Sequence, residues 1–497
     1  MAGSLFRTKS IDGLLAEVSR SGEATLKRTL GPASLVALGI GAIIGSGLFV
    51  RTAAAIAERS GPSVTIAFLV AGLGSAFAGL CYAEFASMIP IAGSAYTYSY
   101  ATMGELVAWI IGWDLVLEYA VGAATVAISW SEYFNRALEY VGLHIPFEWC
   151  HSPFEVMEGA GGGAHGIVNI PAVAILLILS ALLVRGTQES AFVNSLIVVT
   201  KVSIVLMVIA IGWGFMNPAN HTPYIPAATT YTTGQGVVHP YGGVMGVLGA
   251  AGVVFFAFIG FDAVSTAAQE AKNPKRDMPI GILGSLVVCT ILYVLFSHVL
   301  SGVATVEDFR TAGREASVAF AITKYMTGYA WLAKFVTIAI LAGFSSVILV
   351  MLLGQSRVFY SMSHDGLVPE IFSEVHPRFK TPYKSNMLFF VLTALFGGFI
   401  PGDIVGEMTS IGTLFAFMLV CAGVWIMRVR RPELVRGFTV PALPLVAVLG
   451  IVVCGAMIYG LGWTNWLRLG VWLVIGLVFY FSYGIKHSRL ETHAQAA

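Results

Sequence analysis

Four ionisable residues stand inside runs that are otherwise apolar. Asp114 and Glu118 are four positions apart, so on a helix they share one face. Asp262 closes the run Phe255-Phe-Ala-Phe-Ile-Gly-Phe-Asp, and Lys201 lies within Val198-Val-Thr-Lys-Val-Ser-Ile-Val-Leu-Met. A charge at the centre of a membrane span costs about 2.5–3.5 kcal/mol on insertion scales, so such residues usually contact a substrate, an ion or a proton. Glu118 and Asp262 are placed to meet a cationic substrate side chain or a polar network. Pairing of all three acids with hydroxyls and free amides is the equally open structural alternative. Lys201 supplies an ammonium that can exchange a proton. The alternative is a lysine snorkelling to the membrane surface, but Arg185 and Glu189 already mark that surface about three turns earlier. Glu84, near the end of its span, reads as part of an internal gate or a salt bridge.

Two spans are interrupted at their middles by glycine. The first reads Leu38-Gly-Ile-Gly-Ala-Ile-Ile-Gly45-Ser46-Gly47-Leu-Phe49, and the second has Gly260 between Ile259 and Phe261. Lipid offers a backbone no hydrogen-bond partner, so an unwound stretch must face something polar. A single such break reads as close helix packing. A matched pair, each with a polar residue beside it, is the sequence mark of a transporter's binding site.

Charged residues make up 11% of the 497 positions and hydrophobic ones 57%, against roughly 25% charged in soluble domains. The chain therefore reads as a polytopic, all-α membrane protein. A net charge of +1 excludes phosphate-driven nucleic-acid binding. The five cysteines are scattered singly, which indicates neither a metal site nor a disulfide framework. Only His298 among the histidines lies in a span, with no acid near it in sequence, so an intramembrane enzyme and a cofactor are not expected. A channel would want a repeated ring of pore-lining charge or carbonyls. A sensor on a transporter fold stays open.

Twelve segments are long enough to span: 33–55, 62–89, 107–128, 169–186, 190–215, 242–268, 279–302, 329–361, 386–401, 405–428, 440–460 and 464–485. With the N-terminus inside, cytoplasmic segments hold 19 Lys and Arg and the opposite loops 6. The positive-inside rule then puts both termini in the cytoplasm. The N-terminal segment 1–32 is polar and mixed, with no pattern of a cleavable signal peptide. Loops 129–168, 216–241 and 303–328 fall outside, the first with the glycine-rich run 159–164. The basic-free loop 90–106 suits packing at the bundle mouth. The breaks lie five spans apart, an odd offset that inverts topology. The expected organisation is a five-plus-five inverted repeat, 33–215 and 242–428, followed by spans 440–485 and the tail 486–497. Those last two spans would face lipid or a small membrane partner.

The run Gly39–Phe49 resembles the opening helix of the amino acid–polyamine–organocation superfamily. Phe256-Ala-Phe-Ile-Gly-Phe-Asp-Ala-Val-Ser, Glu270-Ala-Lys-Asn-Pro-Lys-Arg-Asp-Met-Pro-Ile-Gly-Ile and Gly354-Gln-Ser-Arg resemble its later motifs. The likeness covers about residues 25–490 and is nearest to the cationic amino acid transporter family and its bacterial relatives. The animal transporters are longer, which points to a bacterial-type permease in the inner, plasma membrane. The resemblance implies alternating access, with an α-amino acid held at the breaks. Its carboxylate would meet amides at Ser46 and Gly47, beside Gly45. Its ammonium would meet carbonyls of Ile43, Phe256, Ala257 and Ile259, next to Gly260. Sodium-driven relatives hold a cation near the level of Lys201, whose ammonium would replace it beside a carbonyl near Gly41 and couple transport to protons. Met351 resembles the position that floors the side-chain pocket, and its bulk favours a small neutral substrate over arginine, lysine or ornithine.

Overall fold

Long apolar runs can satisfy their backbone in lipid only as helices, and helices dominate the structure. The computed structural model describes residues 5–9, 30–89, 94–157, 163–186, 191–233, 236–311 and 317–490. The principal helices are α1 (Pro32–Ile43), α2 (Val64–Met88), α3 (Glu105–Glu139), α4 (Ile170–Arg185), α5 (Ala191–Gly212) and α6 (Gly243–Val254). They continue as α7 (Pro274–Val303), α8 (Ala330–His364), α9 (Tyr383–Phe399), α10 (Gly402–Arg430), α11 (Leu443–Leu461) and α12 (Trp463–Phe479). Among the described residues, nine helical segments are long and apolar enough to cross a membrane. The chain is a multi-pass membrane protein.

One of those nine, Gly47–Met88, has 42 residues and as a single rod would be about 63 Å long, twice the hydrocarbon core. It is folded back instead. The chain turns at Gly61, whose φ of 56° is in the left-handed region that glycine enters without penalty. Packing against α7 gives the directions. Leu35 lies against Gly281 and Gly39 against Ser285, so α1 runs parallel to α7. Gly72 lies against Thr290 and Gly79 against Leu286, so α2 runs antiparallel to it. Those glycines bring three helices close enough for α7 to reach the broken segment.

The opposite flank is keyed by aromatic residues. The Trp113 indole donates to Trp472 O (2.9 Å), the Trp472 indole to Trp113 O (3.3 Å), and the Trp109 indole to Gly476 O (3.0 Å). Buried indoles need such partners, and the result fastens α12 to α3.

Two features differ from the sequence expectation. Helix α3 runs on to Glu139, well past residue 128, with the Arg136–Glu139 pair (2.6 Å) on its last turn. The polar residues from Ser129 onward mark the end of the apolar run and leave the helix intact. The segment 216–241 is not wholly irregular: Thr229–Thr232 pairs antiparallel with Val238–Tyr241. Threonine, valine and tyrosine on both sides of a glycine-containing turn favour that hairpin. Of loop 90–106, residues 94–102 form a helix with Tyr96, Tyr98 and Tyr100 buried. Residues 10–29, 90–93 and 158–162, which carry much of the N-terminal segment and of the glycine-rich run, lie outside the described residues.

Glu84 sits in an ion-pair network. Its carboxylate receives Arg428 and Arg436 (3.3 Å) and the Val440 amide (2.8 Å), tying the α10–α11 connection to the end of α2. Breaking a buried pair leaves charges without partners and costs about 3 kcal/mol or more, while an exposed pair contributes about 0–1 kcal/mol. Glu84→Ala is therefore expected to lower the unfolding temperature of the detergent-purified protein clearly, and Glu433→Ala, from the exposed Arg431 pair, to leave it unchanged.

Candidate functional site

Helix α1 ends at Ile43. Ile44 turns extended (φ −73°, ψ 103°) while its amide still bonds Ile40 O at 2.9 Å. Helix resumes at Gly47 as wide turns, Gly47–Arg51. The second break follows the same plan. Helix α6 tightens into one narrow turn, Phe255–Phe258, and Ile259 is extended (φ −59°, ψ 135°). Gly260 takes φ 113°, and tight helix restarts at Asp262. The two breaks touch. A Cβ on Gly260 would lie 2.9 Å from the Ala42 carbonyl oxygen, and one on Gly47 would run into the Ala257 backbone. Both glycines are needed for the approach, and Gly260 for its dihedral as well.

The unwound carbonyls find donors from neighbouring helices. The Tyr293 hydroxyl of α7 stands 3.0 Å from Ile43 O and 2.9 Å from Ala257 O. Lys201 of α5 donates its Nζ to Gly41 O at 2.9 Å. Its stem crosses Gly343 of α8, where a Cβ would come within 2.7 Å of the lysine Cε. Phe256 O accepts the Ile259 amide at 3.3 Å. The Ser46 hydroxyl is buried and, among the described residues, has no hydrogen-bond partner. Ser46 and Gly47 open a new helix, whose first-turn amides form a positive pole, and the ends of α1 and α6 present the opposite pole. Such a pair of poles can hold a zwitterion without any charged side chain.

The acids gather beside this point. Glu118 lies in a wide turn of α3, Leu117–Val121, a helical distortion common at functional sites. It neighbours Asp262, Asp114 and Thr413. Asp262 accepts from the Tyr119 hydroxyl at 2.7 Å. Both oxygens of Asp114 are buried and, among the described residues, make no hydrogen bond, while the buried Glu118 carboxyl lies against the Asp262 carboxyl and the Thr413 hydroxyl. Met351 lies one turn beyond Glu118, its sulfur 3.3 Å from where a Cβ of Gly122 would be. Gly45 faces Val347, one turn earlier on α8. Glu84 stands apart from this group. Tyr293, Tyr119 and the wide turn are absent from the sequence reading. A lone tyrosine in an apolar span is a readable signal for Tyr293, but nothing in the local sequence announces the wide turn.

Two helices broken side by side within a membrane bundle, with facing backbone poles, define a solute carrier rather than an enzyme. The comparisons agree. Residues 30–478 match the family described as amino acid permease. The chain is 45% identical over 491 residues to the branched-chain amino acid permease BcaP of Bacillus subtilis (strain 168), covering 99% of this chain and 100% of that one. It is 39% identical to the methylthioribose transporter of the same organism, over 98% and 99% of the two chains. It is 32% identical to the vacuolar cationic amino acid transporter 4 of Arabidopsis thaliana, over 86% and 68%. The chain belongs to the amino acid permease family.

Gly260→Ala forces an L side chain into a left-handed conformation and onto the Ala42 carbonyl, a strain of about 1–3 kcal/mol. Ligand affinity in thermal-shift titrations is expected to fall about five-fold or more, as that strain implies. Gly455→Ala, where a Cβ meets only Met418 at 3.8 Å, should behave as wild type.

Proposed function

We propose that the protein is a secondary active transporter that moves a neutral aliphatic L-amino acid by alternating access, coupled to protons and independent of sodium. The observation that carries this reading is the pair of facing breaks. Their amide and carbonyl poles match the carboxylate and ammonium of one α-carbon. In the same reading α1 together with 47–60 forms the first of twelve spans, α1–α5 and α6–α10 form inverted repeats, and α11 and α12 lie outside them. The excess of Lys and Arg supports cytoplasmic termini in a bacterial plasma membrane. Lys201 supports sodium independence, because its ammonium already sits on a carbonyl of α1. Release and recapture of that proton would bias α1 between its two positions. The relative named as a branched-chain permease matches over its whole length, which supports an aliphatic substrate. Met351 beside Gly122 supports a short pocket.

A cationic substrate is the second reading. It is favoured by Glu118, a buried acid without an ion pair among the described residues.

Reconstituted protein should accumulate labelled leucine or alanine without sodium, faster under an inward proton gradient. Arginine and methylthioribose should compete poorly. Lys201→Ala should abolish accumulation against a gradient. A strict sodium requirement with no response to external pH would contradict the coupling. Tight arginine binding with no response to leucine or alanine would hand the site to the cationic reading. Met351→Ser should admit arginine or lysine in competition assays, since relieving an overpacked pocket is worth about 1–3 kcal/mol. Adding Glu118→Gln should then weaken the cations more than alanine.

A further inference from the structure

We propose that Tyr293 is a positioning residue whose hydroxyl competes with the substrate ammonium for the carbonyls of Ile43 and Ala257. This rests on the amino acid reading of the site. The Tyr293 side chain is fully buried, and its ring is wedged between Phe68 (centroids 5.5 Å apart) and Phe258 (5.3 Å). That wedge fixes where the oxygen goes. It stands 3.0 Å from Ile43 O and 2.9 Å from Ala257 O, one carbonyl from each broken helix. A hydroxyl has a single proton, so it cannot fully serve two acceptors at once. An α-ammonium has three donors and a positive charge, and it would satisfy both carbonyls with stronger, charge-assisted bonds. The hydroxyl holds a point from which both carbonyls are reached, and an ammonium that bridges them there displaces it from at least one. Between turnovers Tyr293 keeps the ends of α1 and α6 in register, and it makes a true ammonium a condition of binding.

The sign of the effect follows. Tyr293→Phe removes the competitor and leaves two buried carbonyls under-served until an ammonium arrives. In the full-length purified protein, L-leucine is expected to bind about three- to ten-fold tighter by calorimetry, the range one net hydrogen bond supplies. The unfolding temperature without ligand should fall, and the shift produced by saturating leucine should grow. The matching 2-hydroxy acid, 2-hydroxy-4-methylpentanoate, lacks the ammonium and should gain much less. A tyrosine with only a packing role would weaken both ligands together. Unchanged or weaker leucine binding in the variant would overturn the proposal. Tyr293→Met carries the same expectation should the Phe variant fail to fold, and failure of both to fold would make the hydroxyl a structural necessity and overturn it too. Wild-type protein that binds none of leucine, alanine and arginine would overturn the amino acid reading beneath it. Wild-type binding with no gain in the variants would overturn this inference alone.

Discussion

Every polar backbone group in the membrane interior needs a partner, because lipid has none to give. The two helix breaks create groups that the helices themselves no longer satisfy, and the surrounding bundle is arranged around supplying them. Helix α7 lies against α1 and α2 through Gly39, Gly72, Gly79 and Gly281, and so brings Tyr293 to the carbonyls of Ile43 and Ala257. Helix α5 sends Lys201 across Gly343 to Gly41 O. A larger residue at any of these glycines would separate a donor from its acceptor.

The charged groups sort by depth. Ion pairs close both ends of the bundle. At one end Arg51 donates to Gly402 O (2.7 Å) and pairs with Asp403 (3.3 Å), and Arg59 pairs with Glu407 (2.7 Å). Gly406 has no room for a Cβ because the Arg51 guanidinium occupies that position. At the other end Glu84 gathers Arg428 and Arg436. Between them the breaks offer backbone poles only, with the carboxyls of Glu118 and Asp262 to one side. Recognition by backbone dipoles suits a ligand common to many side chains, and in the proposed function selectivity falls to Met351 and Glu118.

Much of this was legible in the sequence, for physical reasons. Glycine clusters inside apolar runs located both breaks. Lys201 is marked by its isolation, and its contact with α1 falls at Gly41 O, near the carbonyl that the family resemblance implied. Span ends were less legible. Helix α3 continues through Ser129–Glu139 although its residues turn polar, because the helix's own backbone hydrogen bonds do not require an apolar face all round. The hairpin at Thr229–Tyr241 carried a short β-branched signal that an all-helical reading passes over. The wide turn at Glu118 packs against α10, where Gly412 meets Leu117, and local spacing does not announce it. Tyr293 lies nearly forty residues from the second break and some 250 from the first, a separation that only tertiary structure closes.

The central claim, that the facing breaks are the binding site, is tested most directly by a cryo-EM structure of the protein with bound L-leucine. The account predicts ligand density between the two breaks, with the carboxylate on the Ser46 and Gly47 amides and the ammonium on the carbonyl ends of α1 and α6. Leucine resolved elsewhere, with the breaks still closed against each other as Gly47 on Ala257, would contradict it.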